Sequence, residues 1–434
     1  MWKTLTRKMK DSGIEWIGEI PEDWEIRKLK YILEERNEKN NPIVTDNILS
    51  LSVERGIFPY AEKTGGGNKA KSDLTAYKVA HPNDIVINSM NILAGAVGLS
   101  RYTGVVSPVY YTLYTTSEEI NITYYYYLFR TREFQRSLLG LGNGIMMRES
   151  STGKLNTIRM RIPMDKLAGL FLPLPPRRVQ ELIVKSLAKD IKVVDKLIEQ
   201  TRQSIEELKK YKQSLITEAV TKGLDPNVEM KDSGIEWIGE ISKHWNVIKG
   251  KFLFDKKERE IVVNETVTAF RDGQVVQRKK RRTDGFTNSL KEIGYQGVKK
   301  GDLVIHSMDA FAGAIGISED DGKCSPVCII LDKAREGILN EYYAHLLRVY
   351  SILGYIESMA RGIRVRSTDF KYPTFANTLF VLPTIEEQRQ IVSYLDEQTS
   401  RIDKLIEDKT KVIEELEDYK KSLIYEYVTG KKEV

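Results

Sequence analysis

Cations are the side chains of this 434-residue sequence whose spacing suggests chemistry most directly. Arg278–Arg282 is an uninterrupted run of five lysines and arginines, and the chain has a formal net charge of +6 with a pI near 8.9. Lysine and arginine bind phosphate oxygens and displace the counterions of a nucleic acid. The run therefore favours a polyanionic partner without proving one, because a solvated charged surface has the same composition.

Patterns that would indicate catalysis or metal binding are missing. Four histidines lie without the spacing of metal ligands: His81, His244, His306 and His345. We therefore expect no metal and no cofactor in this chain. GGGNKAKS near Gly65 lacks the second glycine of a phosphate-binding loop, and Asn41–Val44 lacks the second proline and the aromatic residue of the amino-methyltransferase motif that it resembles. The pair Asp320-Asp321 favours a solvated turn over acid–base chemistry, so we predict that the chain itself is not an enzyme.

Cysteine usage and hydropathy indicate a cytoplasmic protein. Cys324 and Cys328 are too few for a disulfide framework, and we interpret them as reduced thiols near a strand. No apolar run approaches the roughly 18 residues of a membrane span. The N-terminal segment MWKTLTRKMKDSG lacks the apolar core of a signal peptide. We expect no contact with a membrane.

An internal repeat organises the whole chain. The segment MKDSGIEWIGEI occurs at Met9–Ile20 and again at Met230–Ile241, an offset of 221 residues. NDIVINSMNILAGAVGLS at 83–100 then matches GDLVIHSMDAFAGAIGIS at 301–318 with an offset of 218, and the two charged C-terminal segments match with an offset of 208. Similarity over this length indicates a tandem duplication.

Two pairs of segments interrupt the similarity. Residues 31–82 and 252–300 have almost nothing in common, because one contains EKTGGGNKAK and the other VVQRKKRR. Residues 149–171 and 367–379 also differ, in length as well as in composition. A shared frame with different inserts is the pattern expected of one scaffold that recognises two different targets.

Each half is predicted to contain a mixed α+β domain followed by a long helix. NDIVINSM and GDLVIHSM have the alternation of strands, while TYYYYLFR and NEYYAHLLR have helical spacing. The tyrosines fit a buried core better than a platform for stacking bases. We expect an α+β (mixed α/β) protein with pseudo-twofold duplication, divided into a first domain (1–173), a first helix (174–223), a second domain (224–382) and a second helix (383–434).

The two long helices carry narrow apolar stripes. Val184, Leu187 and Ile191 begin a pattern of three- and four-residue steps, and the second copy keeps the same frame. Such helices, about 45 residues or roughly 65–70 Å long, cannot bury their stripes alone. We expect them to form an antiparallel coiled coil with each other, in which Lys212 and Lys420 occupy seam positions. Pairing with other chains would leave the same pattern. An antiparallel pair would place the chain termini side by side.

These motifs together resemble the specificity subunit of type I restriction-modification systems. The likeness rests on DSGIEWIGEIPEDW, LPLPP, VLPTIEEQRQIV and the two KLIE…IEEL…YK.SLI helices, and it covers the whole chain. It implies two target-recognition domains that each read one half of a bipartite, asymmetric site on double-stranded DNA. It also implies that the helices act as a spacer and as the docking surface for two adenine-methyltransferase subunits. These partners would use S-adenosylmethionine, and restriction or translocase subunits that use ATP and Mg could join. The first copy departs from the family at Arg177–Gln180, where the second has the acidic run Glu386–Arg389.

Candidate DNA contacts are the basic residues of the divergent segments and their borders. In the first domain they are Lys63, Lys69, Lys71, Arg148 and Lys154. In the second they are Arg278, Lys279, Lys280, Arg281, Arg282, Arg361, Arg364 and Arg366. Arg148 and Arg366 align across the repeat, which suggests a shared role on the DNA backbone. Phosphate contacts would supply affinity, and contacts to base edges in the major groove would supply sequence choice.

Two other functions fit the same sequence. The chain could be a duplicated protein-interaction scaffold whose basic loops are incidental, or an enzyme, such as a nuclease, with an unrecognised site. Steep salt-dependent binding to duplex DNA would exclude the scaffold. Under the specificity interpretation, seven residues inserted near Thr217–Gly223 would lengthen the gap between the half-sites, and replacing Ile32–Pro82 by a divergent segment would change one half-site only.

Overall fold

The computed structural model describes residues 7–64, 72–142, 161–281, 292–359 and 370–434, with the backbone of two short strands at 148–149 and 155–156. The chain forms two compact units. Unit 1 comprises Met1–Arg202 and Lys411–Val434, and unit 2 comprises Gln203–Thr410. The domain boundaries predicted from the sequence stay a prediction, because this division shares each long helix between both units.

The described residues of unit 1 form fourteen strands and the start of a long helix. The strands are β1 (Met9–Asp11), β2 (Glu19–Pro21), β3 (Glu25–Lys28), β4 (Glu34–Glu35), β5 (Leu49–Ser52), β6 (Gly56–Pro59), β7 (Lys78–Ala80), β8 (Ile85–Asn88), β9 (Val97–Leu99), β10 (Gly104–Val106), β11 (Tyr110–Tyr114), β12 (Arg148–Glu149), β13 (Leu155–Asn156) and β14 (Phe171–Leu174). The helices are α1 (Ile122–Phe129), α2 (Arg132–Ser137), α3 (Met164–Ala168) and α4 (Arg177–Lys222).

A four-stranded antiparallel sheet in the order β4-β11-β8-β9 forms the centre of unit 1. Successive strand residues point to opposite faces of a sheet. Ile85 and Ile87 accordingly join the main core beneath α1, whereas Val86 joins a second cluster with Leu49 and Ile57. Both faces of β8 are therefore covered, which explains why the strand reads IVI without a polar residue.

Unit 2 repeats this arrangement. Its strands are β15 (Met230–Asp232), β16 (Glu240–Ser242), β17 (Asn246–Lys249), β18 (Phe254–Lys256), β19 (Val267–Ala269), β20 (Val275–Gln277), β21 (Gln296–Val298), β22 (Leu303–His306), β23 (Ile315–Ile317), β24 (Gly322–Cys324), β25 (Cys328–Lys333) and β26 (Leu379–Leu382). Its helices are α5 (Asn340–Ile352), α6 (Tyr355–Ser358), α7 (Tyr372–Asn377) and α8 (Ile385–Val428). The sheet order β18-β25-β22-β23 is that of unit 1. The predicted α+β class and the duplication are confirmed.

The tyrosine stripe belongs to the core, as predicted. Tyr124 and Tyr125 of unit 1 are fully buried, and their hydroxyls donate to the carbonyl oxygens of Val428 at 2.7 Å and Pro173 at 3.1 Å. Tyr342 of unit 2 makes the equivalent bond to the carbonyl oxygen of Val220 at 2.7 Å. A buried hydroxyl needs such an acceptor, so these tyrosines join the strand and helix backbones of each unit.

The long helices α4 and α8 pack against each other within each unit. In unit 1, Lys420 Nζ lies 2.6 Å from Asp195 Oδ1, and in unit 2 Lys212 Nζ lies 2.6 Å from Asp403 Oδ2. These are the two lysines predicted at seam positions, and each meets an aspartate of the other helix. Leu187 and Leu395 are fully buried in their units. The apolar stripes therefore pair with each other inside this chain.

The repeated entry segment forms the same small hairpin in both units. Strands β1 and β2 pair in unit 1, and β15 and β16 pair in unit 2. Gly13 N–H donates to Asp11 Oδ1 at 2.9 Å, and Gly234 N–H donates to Asp232 Oδ1 at 2.9 Å. In unit 1 the hydroxyl of Tyr425 donates to the carbonyl oxygen of Trp16 at 3.0 Å. The C-terminal helix thus meets the N-terminal segment, as the predicted proximity of the termini requires.

Two further predictions concern the cysteines and the membrane. Cys324 and Cys328 are buried and not disulfide-bonded. Among the helices of the described residues, none combines the length and the apolar character that crossing a bilayer requires.

Candidate nucleic-acid interface

The divergent segments carry the same structural element in both units. Strands β5 and β6 form a hairpin that runs into a 3-10 helix at Tyr60–Glu62, and β19 and β20 form a hairpin that runs into a 3-10 helix at Arg278–Lys280. We call residues 49–63 hairpin 1 and residues 267–281 hairpin 2. Corresponding positions differ by 218, the offset of the similar segment that follows. Extending that offset upstream could have revealed the shared element, although the residues themselves do not match.

Glycines in the central sheet let each hairpin lie against it. A Cβ on Gly98 of β9 would stand 2.7 Å from the amide nitrogen of Ile57, and a Cβ on Gly316 of β23 would collide with the carbonyl oxygen of Gly273. Any larger residue would therefore push the hairpin away. A parallel bridge between Ile48 and Val105, and the equivalent bridge between Thr266 and Lys323 in unit 2, hold the first strand of each hairpin in place. The frame that positions the hairpins is thus common to both units.

The end of hairpin 1 presents cations against aromatic rings and one acid. The predicted residue Lys63 follows the 3-10 helix, and its Nζ lies 5.3 Å from the ring centre of Tyr60. Arg55, in the hairpin turn, pairs with Glu62 at 2.6 Å and lies 4.0 Å from the ring centre of Phe58. Hairpin 1 carries no net charge, because Lys63 and Arg55 are balanced by two glutamates.

Hairpin 2 is strongly cationic, and its exposed lysines are paired with acids. Lys279 lies 2.9 Å from Glu265, and Lys280 is paired with Asp320. The hydrogen bond from Lys279 lowers the pKa of the Glu265 carboxyl, and that from Lys280 lowers the pKa of Asp320. The pair of Lys279 with Glu265 is exposed to water, which screens the attraction between the two charges. Lys279 can therefore exchange its acid for a phosphate at small cost.

The two arginines of the predicted run that lie in hairpin 2, Arg278 and Arg281, are held by more specific contacts. Arg278 Nε donates to Thr268 Oγ1 at 3.0 Å. Arg281 pairs with Asp272 at 2.7 Å and lies 4.3 Å from the ring centre of Phe270. Arg281 occupies the position of Lys63 in unit 1, at the end of the 3-10 helix. The four described cations of the predicted run therefore share one ordered turn.

The remaining predicted contacts fall where the structure gives no side chain. Seven lie outside the described residues: Lys69, Lys71, Lys154, Arg282, Arg361, Arg364 and Arg366. Arg148 belongs to β12, whose backbone pairs with β13, but its side chain is not described. The shared backbone role of Arg148 and Arg366 stays a prediction.

Sequence reasoning missed two arginines, Arg55 within hairpin 1 and Arg101 beside it. Arg55 and Arg101 line one cleft together with Glu62, Tyr102 and Tyr126. Isolated arginines have no spacing that distinguishes them from other surface charges, so no sequence signal could have identified them. The arginines add cationic groups, and Tyr102 and Tyr126 add hydroxyl groups, to the face of unit 1 that carries hairpin 1.

One histidine lies next to hairpin 2. Burial lowers the pKa of His306, and the neighbouring carboxylate of Asp309, 3.5 Å away, opposes this shift only in part. Arg271 Nη2 forms an ion pair with the same carboxylate, 2.7 Å from Asp309 Oδ1. His306 is therefore neutral at pH 7, and the positive charge of this surface comes from arginine and lysine. Within the described ranges, no three histidine, cysteine or acidic side chains are grouped as a metal site.

Curated relatives of the chain are specificity subunits. No protein-family model matches the chain. A specificity subunit assigned to the type I restriction enzyme MjaX of Methanocaldococcus jannaschii is 27% identical over 266 residues, which are 58% of this chain and 56% of the relative. The specificity subunit of the type I restriction enzyme MjaVIII from the same organism is 24% identical over 240 residues, 54% of this chain and 50% of the relative. The chain thus matches about half the length of these relatives.

Solved structures share the fold over nearly the whole chain. The HsdS subunit from Thermoanaerobacter tengcongensis superposes with a TM-score of 0.53 at 15% identity, covering 95% of this chain and 98% of that chain. A chain from work on the complex assembly and conformational transition of the type I R-M system superposes with a TM-score of 0.64 at 13% identity, covering 95% and 99%. The resemblance to type I specificity subunits predicted from the sequence is confirmed.

Proposed function

We propose that this chain is the DNA sequence-recognition subunit of a type I restriction-modification complex. One observation carries the proposal: a common scaffold occurs twice and presents two differently charged hairpins at the same position. Hairpin 1 carries no net charge, whereas hairpin 2 carries a net charge of +4. Two readers of unlike chemistry on one chain suit a bipartite, asymmetric site.

Each unit would read one half of that site. A two-stranded β-ribbon fits the major groove, where each base pair shows a distinct pattern of donors and acceptors. Lys279 and Lys280 would contact phosphates and fix the register, because backbone contacts position a protein without selecting sequence. Residues of the hairpins, together with the predicted contacts that lie outside the described residues, would select the bases.

Methylation and cleavage would be performed by partners. We assign two adenine-methyltransferase subunits that use S-adenosylmethionine, with restriction or translocase subunits that use ATP and Mg as further members. The chain itself would perform no catalytic step, and the complex would act in the cytoplasm. Exposed apolar residues recur at equivalent positions of the long helices, Leu197 with Leu405 and Tyr211 with Tyr419, which supports the helices as a spacer and docking surface.

The alternative is a duplicated protein-interaction scaffold that reads no sequence. The clustered cations of hairpin 2 do not favour it, because the phosphates of a nucleic acid are the ligand that such a cluster suits best. It predicts binding to partner proteins without any preference among DNA duplexes.

Binding of the complex with its methyltransferase subunits to duplex DNA tests the proposal. Fluorescence anisotropy would compare a duplex that contains the methylated site with duplexes in which one or the other half is scrambled. We expect each scrambled half to weaken binding, and affinity to fall about a thousandfold or more between roughly 50 and 200 mM salt. Equal binding to all three duplexes would overturn the proposal.

A further inference from the structure

A lysine–aromatic surface recurs on both units. In unit 1, the ring of Tyr31 is 65% exposed and lies 4.8 Å from Lys30 Nζ. In unit 2, the ring of Phe252 is 52% exposed and lies 4.9 Å from Lys251 Nζ. Each ring ends a 3-10 helix that directly follows β3 or β17. We call these two surfaces the lysine–aromatic patches.

Each patch extends onto the neighbouring strand. In unit 1 the β3–β14 ladder pairs Lys28 with Phe171, which is 51% exposed and lies 5.2 Å from Lys28 Nζ. In unit 2 the β17–β26 ladder pairs Lys249 with the exposed residue Leu379. Both patches therefore combine two lysines with two large apolar side chains at equivalent positions.

Folding does not require these side chains to be apolar. Leu29 of unit 1 and Leu253 of unit 2 are fully buried beside them and supply the contacts that anchor each turn. Exposed aromatic residues concentrate at sites of interaction. Tyr31 and Phe252 thus point to binding rather than to core formation.

In the part of the chain that the structure describes, no carboxylate neutralises the charge of the patches. Lys28 and Lys30 form no ion pair with any carboxylate of the described residues, in contrast to the lysines of hairpin 2. The same holds in the described part of unit 2 for Lys249 and Lys251. A ligand of each patch therefore has apolar surface bordered by negative charge.

The repetition of the patch identifies the kind of ligand. The hairpins, which would read different half-sites, differ in charge and composition, whereas the patches keep the order lysine-x-lysine-aromatic at Lys28–Tyr31 and Lys249–Phe252. The same kind of ligand must therefore bind the patch of unit 1 and the patch of unit 2. Exposed rings of this size suit an apolar pocket of a protein better than the phosphates of duplex DNA.

We propose that each lysine–aromatic patch docks one copy of the same protein, a methyltransferase subunit with an apolar pocket and an acidic rim. The inference rests on the proposed function and adds the recognition units themselves to the docking surface of the long helices. Two equivalent patches on one chain give two equivalent partner sites. The aromatic ring enters the pocket, and the lysines pair with the rim.

Native mass spectrometry of the full chain with its co-expressed methyltransferase subunit tests the proposal. Tyr31→Ser with Phe171→Ser is expected to leave one bound copy instead of two, and Phe252→Ser with Leu379→Ser to leave the other one. Each pair of substitutions should weaken partner binding at its own patch by about tenfold to a hundredfold, the loss typical of buried aromatic anchors.

Lys30→Glu and Lys251→Glu should weaken binding of the partner further and reduce the salt dependence of that binding. Val262→Ser, which changes an even more exposed apolar residue outside the patches, should keep both copies.

Duplex binding by the same variants separates the possible outcomes. We expect the chain with all four patch substitutions to bind duplex DNA as the wild type does. Retention of two partner copies by this variant would overturn the proposal and leave the proposed function intact. Loss of duplex affinity with both copies retained would also overturn it, because the patch would then be a DNA surface. Failure of the wild-type chain to bind either duplex or methyltransferase would instead contradict the proposed function.

Discussion

Trp24 and Trp245 occupy equivalent places in the two units but differ in one hydrogen bond. The indole nitrogen of Trp245 donates to Glu387 Oε1 at 3.0 Å, and the same carboxylate meets His244 Nε2 at 2.8 Å. The indole nitrogen of Trp24 is buried and has no acceptor among the described residues. Val179 stands where unit 2 has Glu387, at the point where the first copy departs from the acidic run of the family. A buried donor without an acceptor destabilises the native state.

The variant Val179→Glu should therefore stabilise the protein. A carboxylate in the first turn of α4 can accept the bond from Trp24 and also interacts favourably with the helix N-terminus. We expect the free energy of unfolding to rise by about 1 kcal/mol. Urea denaturation followed by tryptophan fluorescence measures the gain. Val179→Leu is the control, since it fills similar space without an acceptor, and equal stability of the two variants would contradict the prediction.

The half-buried His345 makes the stability of unit 2 dependent on pH. Burial and then the nearby Arg348 lower the pKa of its imidazole to about 4, from the ordinary 6.5. The unfolded chain binds the proton first, so this contribution is complete above pH 6.5 and is lost as pH falls towards 4.

His345→Gln should reduce that loss, because glutamine does not titrate. The melting temperature, measured between about pH 7 and pH 4, should fall less in the variant than in the wild type. The reciprocal variant Tyr127→His places histidine at the equivalent position of unit 1 and should increase the loss. An unchanged pH dependence in His345→Gln would contradict the assignment.

At the residue scale, the sequence identified cations but not their partners. The run Arg278–Arg281 is visible directly, yet Glu265 and Asp320 lie 14 and 40 residues from the lysines that they meet. Lys212 and its aspartate are separated by 191 residues. Such pairs depend on the fold and carry no local pattern.

At the scale of elements, hairpins 1 and 2 are interchangeable in length and in backbone position. They have equal numbers of residues and rest on glycines of equivalent strands, Gly98 of β9 and Gly316 of β23. Replacing residues 49–63 by the sequence of residues 267–281 should therefore preserve the fold of unit 1. The first half of the methylated site should change and the second half should stay the same. Long-read detection of methylated adenine measures both halves.

The exchange should also alter binding to unrelated duplexes. In unit 1, Asn47 and Tyr102 stand in the positions of Glu265 and Asp320, so the transplanted lysines would lack their acids. Nonspecific affinity should rise. The slope of the logarithm of affinity against the logarithm of salt concentration should steepen by the equivalent of up to about four phosphate contacts. A variant with the order of residues 49–63 scrambled would control for unfolding. A change in both halves of the site would show that the hairpins do not act separately.

Sequence patterns predicted those elements in which buried positions recur at the regular spacing of a strand or a helix. The strand NDIVINSM, the tyrosine helix and both long helices have periodicities that follow from burial, and each was predicted. The shared hairpin was not, because its backbone is fixed by space above Gly98 and by strand bridges, while its own side chains differ completely. Residues 31–82 and 252–300 therefore share a hairpin although their sequences have almost nothing in common.

At the scale of the whole molecule, the long helices connect the units along the chain. The insertion point suggested by the sequence, Thr217–Gly223, lies within the packed end of α4. There Val220 is fully buried, and a Cβ on Gly223 would lie 3.2 Å from the ring of Trp245. An insertion at that point would disturb unit 2. Seven residues placed between Arg202 and Gln203, and seven between Thr410 and Lys411, would follow the division between the units and keep the heptad frame.

The paired insertion should widen the gap in the recognised site without changing either half. Seven residues add about 10 Å of helix, which corresponds to roughly three base pairs. Methylation mapping would detect the wider gap. A single insertion in α4 is the control and should reduce activity, because it shifts one stripe against the other. An unchanged gap in the paired variant would contradict the role of the helices as a spacer.

The most direct measurement is a genome-wide map of adenine methylation in cells that express this chain with its methyltransferase subunit. If each unit reads its own half-site, the map will show an asymmetric motif of two short defined blocks around a fixed unspecified gap, and the motif will disappear when the chain is deleted. A motif that persists without the chain, or the absence of any bipartite motif, would contradict the assignment of sequence recognition to this protein.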